Sequence, residues 1–83
     1  MDSNQNSQAV TLLANLPLDT PACITAVNGD GPETRRLMEM GVLPGVMVNV
    51  VKTAPFGDPI EVRIRGYSLA MRRSDARSIE VKL

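Results

Sequence analysis

Apolar and polar residues alternate with a period of two along much of the second half of the chain. Residues 60–65 alternate without exception between Ile or Val and a charged residue, residues 79–83 also alternate, and residues 67–72 repeat the pattern less strictly. This alternation is typical of antiparallel strands that bury one face. Residues 22–27 and 46–51 are rich in β-branched side chains, which favours two further strands. The pattern therefore predicts five short strands.

One segment has helical rather than strand spacing. Leu37 and Met40 lie three residues apart within residues 30–40. Asp30 is a suitable N-cap, and Glu33 follows at the spacing of a capping box. We therefore predict a short helix over residues 30–40, which depends on burial of Leu37 because a helix of this length is unstable alone.

The segment after this helix is predicted to end it and to start the next strand. Gly41 can adopt the positive φ that terminates a helix, because it has no Cβ. Pro44 and Gly45 suit the two central positions of a type II turn. Val42 and Leu43 lie between these glycines and are expected to fill one end of the core.

The segment 53–59 is predicted to be a loop. Its two prolines exclude a central strand, and Gly57 with Asp58 supplies the residues of a turn. Pro59 closes the loop, and we interpret Asp58 as a loop-capping residue rather than a metal ligand.

The remaining elements complete the predicted fold. Residues 10–16 and 74–78 are expected to form short helical turns, the second capped by Ser74. Residues 1–9 are rich in Asn, Gln and Ser and are predicted to be a disordered polar tail, which leaves 10–83 as a single domain. Five antiparallel strands and one helix favour a mainly β fold, a small closed barrel without exposed edges.

The composition of the 83 residues argues against an enzyme and against a cofactor. There is no histidine, the commonest general base, and the single cysteine, Cys23, is expected to be a small buried hydrophobe. No glycine pattern for nucleotide phosphates is present. No apolar run approaches the ~20 residues that span a bilayer, so we expect a cytoplasmic protein without direct membrane insertion.

Charge is unevenly distributed along the chain, and this distribution indicates which kind of partner the protein binds. Four acids and no bases precede Arg35, whereas nine bases and five acids follow from that residue onward. Arginine-rich surfaces suit nucleic acid, but such modules add aromatic side chains for stacking, and the pI here is about 6.1. Nucleic acid is therefore not the expected partner.

Four residues are candidates for a protein-binding surface. Arg63 and Arg65 are predicted to share the outward face of one strand, with Tyr67 beyond Gly66. Phe56, the only phenylalanine, lies in a loop where it either folds over a barrel end or anchors a partner. Aromatic anchors carry much of the energy of an interface, while arginines at the rim tune association.

Three segments in register give the chain a resemblance to the FeoA family, the small cytosolic component of bacterial ferrous iron transport. Residues 36–45 resemble the family's "RL…LG…PG" signature, residues 54–60 its "AP.GDP" segment, and residues 66–72 its "G..LALR" segment. The motif positions are Leu37, Gly41, Pro44, Gly45, Gly57, Asp58 and Pro59.

This resemblance implies an SH3-like barrel with one inserted α-helix and no catalysis. It implies an accessory or regulatory protein that contacts the cytosolic part of FeoB, a membrane ferrous iron permease. The alternatives are a stand-alone SH3-like domain that regulates a metal-dependent transcriptional repressor, or a small nucleic-acid-binding barrel. Weak self-association is compatible with all of these.

Overall fold

The computed structural model describes residues 10–83, so the predicted polar tail at 1–9 lies outside the described residues. Six strands, two α-helices and one 3-10 turn make up this part of the chain. In chain order they are β1 (Thr11–Leu12), the 3-10 turn (Leu13–Asn15), β2 (Ala22–Val27), α1 (Pro32–Glu39), β3 (Met47–Thr53), β4 (Ile60–Ile64), β5 (Tyr67–Met71), α2 (Arg73–Ala76) and β6 (Ile79–Lys82).

All six strands belong to one antiparallel sheet with the order β1-β6-β2-β3-β4-β5. The five predicted strands are confirmed, and the sixth, β1, occupies two residues of a segment that was expected to be helical. Because β1 and β5 do not pair, the sheet keeps two edges, and the expected closure by strand pairing is not found. Register shifts interrupt β2 after Ile24 and β3 after Val50. Such irregularities increase the local twist of a sheet.

The alternating residues of the strands build the core. On β4, Ile60, Val62 and Ile64 are buried, whereas Arg63 between them is exposed. The buried side chains form one apolar cluster with no charged member. Its largest fully buried members are Leu13, Ile24, Leu37, Ile60, Ile64, Ile79, Val42, Val48 and Val62.

Helix α1 begins one residue later than the capping pattern predicted. Gly31 is the N-cap, Pro32 follows in the first turn, and no side chain bonds to the N-terminal N–H groups, so the Asp30 cap is wrong. Proline at the first helical position fixes this start, because its missing N–H would be unpaired there anyway. Glu33 instead pairs with Arg36 at 2.8 Å on the solvent side.

Helix α1 ends as predicted at Gly41, which has a φ of 106°. The Gly41 N–H donates to Met38 O and the Val42 N–H donates to Leu37 O, both at 3.0 Å. This pair of bonds is the Schellman motif, in which an apolar contact commonly joins the two outer residues. Leu37 and Val42 are both fully buried, so this helix end faces the core.

The turn into β3 also follows the prediction. Gly45 has a φ of 92°, and the Val46 N–H donates to Leu43 O at 3.2 Å across Pro44 and Gly45, as in a type II turn. The Gly45 N–H donates to Ile24 O at 2.7 Å and ties the turn to β2. Leu43 does not fill the core as expected, because its side chain is 39% exposed.

The turn between β4 and β5 corrects the prediction for Arg65. Strand β4 ends at Ile64, which pairs with Tyr67, so Arg65 and Gly66 are the two central residues of the hairpin turn. Both have positive φ, 46° and 87°, which defines a type I′ turn. Arg65 therefore does not continue the outward face of the strand on which Arg63 lies.

Replacement of Leu37 by alanine is expected to destabilise the protein by ~2–5 kcal/mol, because a fully buried leucine leaves a cavity. Urea denaturation of the wild type and the variant measures this difference. Met38→Ala on the same helix is the matched control, since Met38 is 37% exposed and its loss should cost less than about 1 kcal/mol. Equal effects of the two changes would show that α1 does not pack through Leu37.

Replacement of Arg65 by asparagine is expected to stabilise the protein by about 0.5–1 kcal/mol. Left-handed backbone costs most L-residues roughly 1–2 kcal/mol, and asparagine tolerates it best after glycine. Arg65→Ala removes the same charge without relieving the backbone, so it should give no gain. If both variants shift the urea midpoint equally, charge rather than backbone strain sets the effect.

Candidate functional site

Phe56 is the most exposed large apolar side chain of the described residues, with an exposure of 100%. It does not fold over an end of the core, which was one of the two expectations. The loop that carries it joins β3 to β4 and is closed by its own backbone: the Ala54 N–H donates to Pro59 O at 3.0 Å, and the Gly57 N–H donates to Ala54 O at 2.7 Å. Phe56 is therefore displayed on an ordered turn.

Arg73 holds this loop against the rest of the molecule. Its Nε–H donates to Gly57 O at 2.9 Å, and its Nη1–H donates to Ala14 O in the 3-10 turn. Its backbone N–H donates to Asp58 Oδ1 at 2.8 Å. One residue thus joins the Phe56 loop, the first turn of the described chain and helix α2.

The contact with Asp58 replaces the predicted cap of the last helical turn. Helix α2 starts at Arg73, after an N-cap at Arg72, and the expected cap by Ser74 is wrong. The carboxylate of Asp58 accepts the N–H at the start of α2 from 15 residues away in sequence. Carboxylates favour helix N-termini because of the N–H groups there. No local sequence pattern predicts the role of Arg73, because these hydrogen-bond partners are all distant in sequence.

Tyr67 contacts the end of helix α1. Its hydroxyl donates to Met40 O, and a Cβ built on Gly41 would lie 2.9 Å from that hydroxyl oxygen. Tyr67 is nevertheless 43% exposed, so part of its side chain remains available at the surface. Tyr67 thus combines a structural contact with an exposed aromatic surface.

The four predicted surface residues do not form one patch. Phe56 precedes β4 and Arg65 follows it, and a five-residue strand separates its ends by roughly 13 Å. Arg63 is exposed on the outer face of β4, between Asn49 and Ser68. Tyr67 is two residues before the buried Leu69 of β5. Its side chain therefore lies on the opposite face of the sheet from that of Arg63. Only Arg65 and Tyr67 are neighbours, at the hairpin turn.

Two features of the described residues concern metal ligands and membrane-spanning helices. Within residues 10–83, no group of three or more His, Cys, Asp or Glu side chains is placed to hold a metal ion. No helix in that range is long and apolar enough to cross a membrane. Cys23 is half-buried rather than fully buried, and its Sγ lies 3.6 Å from Ile24 O.

The six-stranded antiparallel sheet, with a helix inserted between β2 and β3, defines a small SH3-like protein. The family model described as "FeoA domain" matches residues 11–83. The chain belongs to the FeoA family, a component of ferrous iron transport.

Known proteins agree with this assignment. The chain is 41% identical over 71 residues to a Porphyromonas gingivalis protein named as a fusion of Fe(2+) transport protein A and the Fe(2+) transporter FeoB. This match covers 86% of the chain but 8% of the fusion protein. The solution structure of FeoA from Chlorobium tepidum is 38% identical, with a TM-score of 0.82 over 88% of this chain and 70% of that one.

A crystal structure of Stenotrophomonas maltophilia FeoA, complexed with zinc and described as an SH3 domain protein, is similar as well. It is 32% identical and has a TM-score of 0.75 over 87% of this chain and 89% of that one. The mainly β, SH3-like fold expected from the resemblance is therefore confirmed.

Replacement of Gly41 by alanine is expected to destabilise the protein by more than the same change at Gly45. Both positions have positive φ, so both variants carry backbone strain of about 1–2 kcal/mol. Only at Gly41 does the new Cβ also meet Tyr67, because nothing lies within 4 Å at Gly45. Thermal and urea unfolding measure both variants.

A double-mutant cycle with Tyr67→Phe tests the steric part. Removal of the hydroxyl should recover part of the loss in Gly41→Ala and none of the loss in Gly45→Ala. Equal losses at the two glycines, with no recovery, would mean that the contact with Tyr67 adds no constraint.

Proposed function

We propose that this protein is a non-enzymatic accessory protein of ferrous iron uptake, which acts in the cytoplasm by contact with the cytosolic part of a FeoB-type membrane permease. The observation that carries this proposal is the fusion protein of Porphyromonas gingivalis, in which the two components share one chain. Fusion raises the effective concentration of one component near the other. It is therefore the arrangement expected of components that work in contact.

The surface of the molecule supports a role in binding rather than in catalysis. Phe56 is fully exposed on a loop whose backbone is held by Arg73 and Asp58, so docking costs the rotamer freedom of the ring but little backbone entropy. Burial of an exposed aromatic ring is among the largest single contributions to an interface. Phe56 is therefore the proposed anchor on this face of the molecule.

The arginines contribute to the same proposal in a different way. Arg63 and Arg65 are exposed and take part in no ion pair within residues 10–83, where the structure has one, between Arg36 and Glu33. Arg65 and the exposed part of Tyr67 give the hairpin turn a basic and aromatic character, whereas Arg63 adds a positive charge on the outer face of β4. Such rim charges mainly affect the association rate and its dependence on salt.

The direct test is co-purification from membranes of the same organism, with the permease present and with its gene deleted. The proposal predicts that the protein sediments with membranes only when the permease is present. Recovery in equal amounts from both membranes, or from neither, would contradict the proposed partner.

Phe56→Ala is expected to weaken binding to the purified permease at least about 30-fold, which corresponds to the ~2 kcal/mol lower limit for an anchor residue. Because Phe56 packs against nothing, the variant should keep the free energy of unfolding of the wild type within about 0.5 kcal/mol. Met47→Ala is the matched control, since Met47 is 55% exposed at the opposite end of β3. Wild-type affinity of the Phe56 variant would remove this loop from the interface.

A further inference from the structure

Strand β5 forms one edge of the sheet, and its hydrogen-bonding pattern follows from the turn before it. Ile64 and Tyr67 flank a two-residue type I′ turn, and in such hairpins the flanking residues exchange both of their backbone hydrogen bonds. The N–H and C=O groups therefore point toward β4 at every second residue from Tyr67. Those of Ser68 and Ala70 point away from the sheet.

These outward groups have no other backbone partner within residues 10–83, since no hydrogen bond beyond the strand ladder uses Ser68 or Ala70. The opposite edge, β1, is only two residues long and offers far less backbone for pairing. Within the described part of the chain, β5 is thus the edge with a full set of free donors and acceptors.

Strand β5 also lacks the features that normally protect an edge. Proteins guard exposed edges with charged residues, prolines, bulges or very short strands. The sequence of β5, Tyr-Ser-Leu-Ala-Met, has no charge and no proline, and its pairing with β4 is regular over all five residues. The outer face of β5 carries only the small side chains of Ser68 and Ala70. Nothing on the strand itself prevents another strand from approaching.

Beside this edge lies a groove rather than a covering element. Ala70 and Met71 line it on one side, Glu33 and Arg36 of helix α1 on the other, and its volume is about 390 Å³. The hydroxyl of Tyr67 bonds to Met40 O and holds the far end of α1 at the start of β5. The helix and the strand thus form two walls of a channel.

We propose that β5 accepts an extended segment of the permease as a seventh strand of the sheet. The segment pairs with the N–H and C=O groups of Ser68 and Ala70, which is recognition by strand addition. This inference rests on the proposed function, because it takes the permease as the partner. The edge is distinct from the Phe56 loop, although Pro59 of that loop lines the same groove.

Charge favours a segment of another protein over a second copy of this chain. In the symmetric antiparallel register that pairs all five residues of β5 with their counterparts, the exposed Arg72 of one copy lies opposite Gly66 of the other, directly beside the exposed Arg65, and this happens at both ends of the paired strands. Like charges opposite each other destabilise strand pairing. An extended segment with an acidic residue beside Arg65 would instead be attracted to the turn before β5. At the other end of β5 the groove carries both signs of charge, Arg36 and Arg72 with Glu33 and Asp75.

The test is amide hydrogen exchange of the full chain, alone and with the detergent-solubilised permease of the same organism. We expect the amides of Ser68 and Ala70 to exchange rapidly in the free protein and to be protected at least about 10-fold in the complex. Protection of both amides supports strand addition. Binding without any change at these two amides overturns it and leaves the proposed function intact, whereas no binding at all overturns both.

A pair of variants gives a second readout. Ala70→Pro removes an outward N–H but no ladder bond, and prolines are tolerated at edge strands in this orientation. It should weaken permease binding at least about 10-fold, whereas Ala70→Thr keeps the N–H and should bind like the wild type. Equal affinities of the two variants overturn the proposal.

A second proline variant and a sedimentation measurement cover the remaining outcomes. Ser68→Pro probes the other outward N–H if Ala70→Pro does not fold, and exchange in the wild type needs no variant. Sedimentation of the chain alone at increasing concentration tests for self-association. Protection of Ser68 and Ala70 that appears together with a dimer would identify a second copy as the occupant and overturn the assignment to the permease.

Discussion

Helix α1 ends in a tight turn at Gly41, where three elements of the fold meet. The positive φ of Gly41 lets the Val42 N–H reach Leu37 O, so the two apolar side chains enter the core together. The hydroxyl of Tyr67 bonds to Met40 O beside this glycine and would have to shift to admit a Cβ. Gly41 therefore sets the relative positions of the end of α1, the start of β3 and the start of β5.

Arg73 joins separate parts of the chain near the start of β4, where the Phe56 loop ends. Its guanidinium donates to carbonyl groups that lie 16 and 59 residues away, in the Phe56 loop and in the 3-10 turn. Hydrogen bonds from a charged donor contribute about 1.5–3 kcal/mol each, which is large for a chain of only 83 residues. Because Asp58 also caps α2 through the Arg73 N–H, the loop cannot move without disturbing that helix. The exposure of Phe56 is therefore built into the fold.

Local chemistry decides which of these features the sequence alone can predict. The strands follow from alternation, and the turns at Gly41 and Gly45 follow from the lack of a Cβ, so both were predicted correctly. The caps at Asp30 and Ser74 were wrong, since proline fixed one helix start and a distant carboxylate capped the other. The prediction for Arg65 was wrong because the alternation of apolar and charged residues continues one residue beyond β4 into the turn. The role of Arg73 could not be predicted from the sequence, because its hydrogen-bond partners are 16 and 59 residues away and no local pattern links them.

The two proposed binding features are physically connected at one end of β5. Met71 pairs with Ile60, which directly follows the Phe56 loop, and Pro59 of that loop lines the same groove as Ala70. A segment added along β5 would therefore leave the strand next to the loop. Backbone pairing is nearly independent of sequence, so an open edge alone would bind any extended chain. Discrimination must come from side chains, and Phe56 at one end with Arg65 at the other would supply it, because a partner must then match both the strand and its two ends.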